Sequence, residues 1–240
     1  MPTLVSLSPL LALLGLSLSV LTPSTQPAAP APQPAQGPGH PTAAGTPPPG
    51  ALNLTYMRRA SYTVASSSRL RQFANLGGWA DSGNRPRLVG AAEAGPRTLR
   101  VTVDAAASTS GGPASHRLRI INGSTDTVLF GAQDSQLSLN LQALDRQGQW
   151  QDIEYVPRSW CGNSYHTVFL APDQYWQLTA PVYTGEFATK LRAKLLRQDP
   201  QNPGNTLAVY SNEFEGRVNP GQFGRKEGHA PQDIMDPYNE

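Results

Sequence analysis

Between Leu99 and Tyr210 apolar and polar residues alternate one for one in short runs. That period suits a strand, whose successive side chains point to opposite faces, and defeats a helix. Leu99, Val101 and Val103 alternate with Thr98, Arg100 and Thr102, and Leu118 and Ile120 with Arg117 and Arg119. Leu137, Leu139, Leu141 and Ala143 alternate with Ser138, Asn140 and Gln142. Val128–Phe130, Trp150–Tyr155, Val168–Leu170, Trp176–Leu178, Phe187–Leu195 and Leu207–Tyr210 continue the series. About nine such segments, roughly 8 to 12 residues apart and separated by Gly, Pro, Asn and Asp, predict an all-β fold. Two antiparallel sheets stacked face to face, alternate residues turned inward, satisfy the pattern.

Only one cysteine, Cys161, is present, so no internal disulfide can form and the core must hold the domain. The sequence predicts a β-sandwich over residues 98–220, preceded by an irregular extension over 51–97 and followed by a flexible tail over 221–240. Within the extension, Leu70, Phe73, Leu76 and Trp79 recur at helical spacing. Asn122-Gly123 and Gln147-Gly148 read as turns.

Residues 1–50 carry no Lys, Arg, Asp or Glu, and ten of the 23 prolines lie between Pro23 and Pro49. The apolar run within 1–22 reads as a secretory signal peptide or a membrane anchor. Residues 23–50 read as a disordered, Pro-rich linker that in extended form reaches about 80 Å. Together they predict a secreted or cell-envelope protein, with membrane association confined to the amino terminus. The net charge of +2 and the scatter of the basic residues exclude nucleic acid as a partner. Asn53-Leu-Thr55 and Asn122-Gly-Ser124 are formal glycosylation sequons.

The rare residues gather in Arg158-Ser-Trp-Cys-Gly-Asn-Ser-Tyr-His166. Cys161, His166 and Asn163 are the residue types of a thiol hydrolase, in which a base holds a thiolate. They lie within six residues of one another, whereas such sets assemble from distant segments. His116, Cys161 and His166 follow the ligand order of a cupredoxin copper site, but the only late methionine is Met235. The reading that needs least is an ordered aromatic loop. Trp160 and Tyr165 give it contact area, Cys161 packs as a small apolar group, Gly162 permits a positive φ, and Asn163 bonds nearby backbone. Trp160, Cys161, Asn163, Tyr165 and His166 are therefore the candidate binding residues, with no catalytic set, metal or cofactor expected.

Two further features bear on chemistry. Asp134, Asp145, Asp152, Glu154, Glu186 and Glu213 sit at strand or turn positions, and spacing alone cannot pair them as glycosidase carboxylates. Lys190, Arg192 and Lys194 share one strand face, either a solvated outer face or a short basic stripe.

Gly148-Gln-Trp150, which puts a tryptophan on an expected central strand, resembles immunoglobulin-like domains, as do Leu170–Trp176 and the glycine-entered run Gly185–Leu195. The strand order is also loosely similar to the bacterial intracellular proteinase inhibitor type of sandwich. Residues 116–218, with the cysteine-centred stretch and Tyr210–Phe214, resemble an uncharacterised exported bacterial family. The resemblance implies an immunoglobulin-like sandwich and transfers no activity. The expected function is a non-catalytic binding or structural module for a protein or cell-envelope ligand, with a Cys161–His166 hydrolase and a copper site as alternatives.

Overall fold

A computed structural model describes residues 47–66, 82–90, 95–108, 113–231, 233 and 236–238. The expected leader, most of the Pro-rich linker, the Leu70–Trp79 helical turn and Met235 lie outside the described residues. Those described contain sixteen strands and no α-helix, which bears out the all-β expectation.

Strand β14 (Phe187–Gln198) is the longest and organises its sheet. Leu191, Ala193 and Leu195 face the core while Lys190, Arg192 and Lys194 face away. One edge of β14 pairs with β8 (Leu139–Leu144), which pairs in turn with β9 (Trp150–Asp152). Two strands share its other edge: β16 (Phe214–Val218) beside its first half and β15 (Thr206–Tyr210) beside its second. Gly185, just ahead of β14, lets the chains approach closely, since a Cβ there would lie 2.3 Å from the Val218 carbonyl carbon.

A four-stranded sheet has the order β3 (Arg87–Leu88), β12 (Gln174–Pro181), β5 (Ser115–Asn122), β4 (Leu99–Ser108). A three-stranded sheet has the order β11 (Tyr165–Leu170), β6 (Val128–Gln133), β7 (Gln136–Leu137). All these ladders are antiparallel. Two short parallel pairs complete the structure: β1 (Leu52–Asn53) with β13 (Tyr183–Thr184), and β2 (Arg58–Arg59) with β10 (Glu154–Tyr155). Inward rows from β4, β5, β6, β8, β11, β12 and β14 form one apolar cluster. Each large side chain fully buried there contributes about 1.5 to 3 kcal/mol.

One expectation changes. The tryptophan at the centre is Trp176, fully buried on β12, edge-on to Phe130 at 5.4 Å, its Nε1–H donating to the Ala65 carbonyl at 2.9 Å. Trp150 lies on the edge strand β9, partly buried. The stretch from residue 51 contributes the buried Ala60, Tyr62 and Val64 to the core. Asn122 is buried, and its amide donates to the Asp126 and Leu170 carbonyls at 2.8 Å each, so the folded domain offers no glycan acceptor there.

Trp176→Ala is expected to lower the unfolding free energy by about 3 to 5 kcal/mol, whereas Trp150→Ala at the sheet edge loses about 1 kcal/mol. Urea unfolding of both variants checks the assignment, and the opposite ranking refutes it.

Candidate functional site

The stretch from Pro157 to His166 is wired from both sides. The Gln133 amide at the end of β6 donates to the Pro157 carbonyl at 2.8 Å and accepts from the Ser159 N–H at 2.9 Å. Ser159 Oγ accepts from the Cys161 N–H at 3.0 Å and donates to Ser164 Oγ at 2.9 Å. Gly162–Ser164 close a 3-10 turn, so Gly162 is not at positive φ as the sequence had suggested. Tyr165 O–H donates back across the loop to the Ser159 carbonyl at 2.8 Å.

The positive-φ pair is instead Asp134 and Ser135, the two-residue turn joining β6 to β7. Positive φ at both central residues suits the twist of a tight hairpin. The Asp134 N–H donates to the Ser164 carbonyl at 2.9 Å, and its carboxylate accepts from Tyr238 O–H. The carboxy-terminal stretch, expected as a free tail, packs here. The Trp160 N–H and indole N–H donate to the carbonyls of Pro237 and Asp236 at 2.9 and 3.1 Å.

The loop residues do not act together. Cys161 is partly buried, and its sulfur makes no hydrogen bond to a described residue. Asn163 is exposed and likewise makes no side-chain hydrogen bond among the described residues. His166, on β11, is buried, and its Nδ1 lies 3.1 Å from the Ser164 carbonyl. A carbonyl only accepts, so Nδ1 carries the proton, and in that tautomer Nε2 is the acceptor. Among the described residues no Cys161–His166 hydrogen bond forms. His116 sits on β5 in a different sheet, against Phe214 at 5.0 Å. No three His, Cys, Asp or Glu residues gather to hold a metal among the described residues, so the copper set does not assemble.

Tyr165 and His166 instead form one wall of a half-open cleft of about 920 Å³. Gln136 of β7, Asn140 of β8, Asp152 of β9 and Lys194 of β14 also line it, with Arg158 and Lys226 among its cations. Lys194 reaches Asp152 at 3.6 Å, and Lys226 lies 4.8 Å above the Tyr155 ring. Among the described residues, His166 Nε2 and Gln136 Nε2 are buried without hydrogen-bond partners. One wants a donor and the other an acceptor, a combination a hydroxyl satisfies. Sequence reasoning singled out Tyr165 and His166 as candidates and weighed Asp152 only as one of six carboxylates, and it did not single out Gln136 or Asn140. Its signal for the cleft was the alternating Lys190–Arg192–Lys194 row.

Beneath the cleft lies Glu154, 1% exposed. Tyr183 O–H donates to one carboxyl oxygen at 2.6 Å, while Tyr62 O–H and the Leu141 N–H donate to the other at 2.8 and 3.0 Å. Burial pushes its pKa above the ordinary glutamate value, against these donors and the nearby Arg58 cation. Burial and Glu154 also raise both tyrosine pKa values. With Asp152 it gives two carboxyl groups beside one cleft, but Glu154 is sealed by its donors and does not present an acid to a substrate.

The chain matches no protein-family model and no curated protein.

Tyr183→Phe strips one donor from Glu154 and is expected to remove about 1 to 3 kcal/mol. Because the folded pKa of Glu154 is raised, its titration favours folding most below the unfolded value near ~4.3 and loses that contribution as pH rises through the folded value. Unfolding free energies between acid and neutral pH should therefore fall more for wild type than for Glu154→Gln. Parallel profiles refute the shift.

Proposed function

We propose that this chain is an exported, envelope-tethered, immunoglobulin-like two-sheet sandwich that acts as a non-catalytic binding module. Its binding site is the cleft walled by Tyr165 and His166. The observation that carries the reading is the cleft's volume of about 920 Å³ together with two buried polar atoms, on His166 and Gln136, that lack partners among the described residues. Pockets with a few convergent polar groups are where ligands bind, and buried donors and acceptors left unmade are costly.

The sandwich reading is supported by β14, which packs across the apolar cluster against β6 and β4. Export is supported by the uncharged first fifty residues, with their apolar run and proline-rich stretch. The resemblance to an exported bacterial family points the same way. A non-catalytic role is supported by Cys161 and His166, which form no hydrogen bond with each other, and by the sealing of Glu154.

Within the loop, Tyr165 and His166 carry binding. Trp160, although 57% exposed, is committed by its indole N–H to the carboxy-terminal backbone. Fragment screening by two-dimensional NMR of the full chain tests the reading. Polar fragments are expected to shift the amides of Gly131, Gln136 and Ser138. Tyr165→Ala is expected to weaken them by roughly tenfold, more than Trp160→Ala does. Fragments that collect elsewhere, or nowhere, overturn it.

A further inference from the structure

The cleft's charge and its continuation define a ligand class, an inference that rests on the binding reading above. Three cations, Arg158, Lys194 and Lys226, line the cleft. The carboxylates among its lining residues are Asp152, which pairs with Lys194 and accepts from the Gln142 amide at 2.7 Å, and Glu154, enclosed by its three donors. Among the described residues Lys226 meets the Tyr155 ring rather than a carboxylate, so its charge is left for a ligand bearing negative charge. Its other lining groups are amides, an imidazole, a hydroxyl and two phenol rings, with apolar surface from Ala132, Val156, Pro157 and Leu196.

The floor does not stop at the cleft. Lys194 stands opposite Asn140 on β8 and Tyr210 on β15 in the sheet register. Two residues along β14 on the same outward face, Arg192 is held between the rings of Trp150 and Tyr210, 4.1 and 3.9 Å from their centroids. Its Nε donates to the Gln142 amide oxygen at 2.8 Å. Aromatic rings beside a guanidinium and amides form a strip for a ligand that is flat on its faces, hydroxylated at its edges and anionic at intervals.

We propose that the cleft and this strip bind an acidic saccharide chain. A sugar carboxylate meets Lys194 and Lys226, its ring hydroxyls lie against Gln136, Asn140 and His166, and the following sugars run across Trp150, Arg192 and Tyr210. Flexible lysine stems let the cations close on the ligand, while the wired loop and the sheet provide a fixed wall.

Isothermal titration of the full chain with a galacturonate hexasaccharide tests this, with its fully methyl-esterified form and poly-glutamate as controls. The hexasaccharide is expected to bind and to weaken with salt, because the attraction is screened. Lys194→Met and Lys226→Met, both at surface positions, should each lower its affinity by roughly tenfold, while Tyr210→Ala weakens the hexasaccharide but not the disaccharide. Equal binding of the methyl ester overturns the anionic requirement, and equal binding of poly-glutamate overturns the saccharide. If fragments still collect in the cleft but no saccharide binds, this inference fails and the binding reading stands. If neither binds, both fall.

Discussion

A carboxyl group with almost no access to water joins three parts of this structure that are far apart in sequence. Glu154 on β10 accepts from Tyr62 in the amino-terminal stretch, from the Leu141 backbone on β8 and from Tyr183 on β13. A buried carboxyl without donors is strongly unfavourable, so each of these elements must sit in one place for Glu154 to be tolerated. Apolar packing alone would accept small slips of register. A donor–acceptor set with fixed lengths accepts fewer, and in a chain with a single cysteine it supplies a specific link that a disulfide cannot.

The same set of contacts explains why the cleft lies where it does. Residues 58–59 pair with Glu154–Tyr155, and the chain runs on through Pro157 into the loop that Gln133 clamps. That path carries Tyr155, Arg158, Tyr165 and His166 to one side of the cleft. On the other side, the outward faces of β8 and β14 present Asn140 and Lys194 at matching positions. Positioning comes from backbone ladders and satisfied amides, so a ligand meets a surface that needs little ordering.

The nine alternating runs were legible because each puts apolar residues on one face for several positions. The strands that escaped notice lack that signature. β2, β3 and β13 are two residues long. In β16 the inward row is Phe214, Gly216 and Val218, and its middle position is a glycine because Leu191 fills the space, 2.3 Å from where a Cβ would be. The choice of central tryptophan failed for a related reason. Trp150 and Trp176 both occupy strands, and only pairing tells an edge from an interior. At the site, rare residues drew attention to Trp160 and Cys161, whereas the cleft is lined largely by ordinary outward-facing Gln, Asn and Lys. Their function depends on the sheets converging, which one strand's sequence does not express.

The exposed indole of Trp160 shows how a surface aromatic can be structural. Its backbone and ring N–H groups both donate to the chain at Asp236 and Pro237, and Tyr238, one residue on, bonds Asp134 and lies 4.3 Å beneath the Arg59 guanidinium. His229 adds a second tie, with one ring nitrogen 2.9 Å from Asp236 and the other 2.9 Å from Arg59. The carboxy-terminal stretch thus fastens the β6–β7 turn, the loop and β2 to one another. Tyr165, five residues beyond Trp160 on the same loop, makes a single hydrogen bond to Ser159 and leaves its ring at the cleft rim. Two exposed aromatic residues therefore differ in role: the one whose polar edge is used by the chain ties down the carboxy-terminal stretch, and the other lines the cleft.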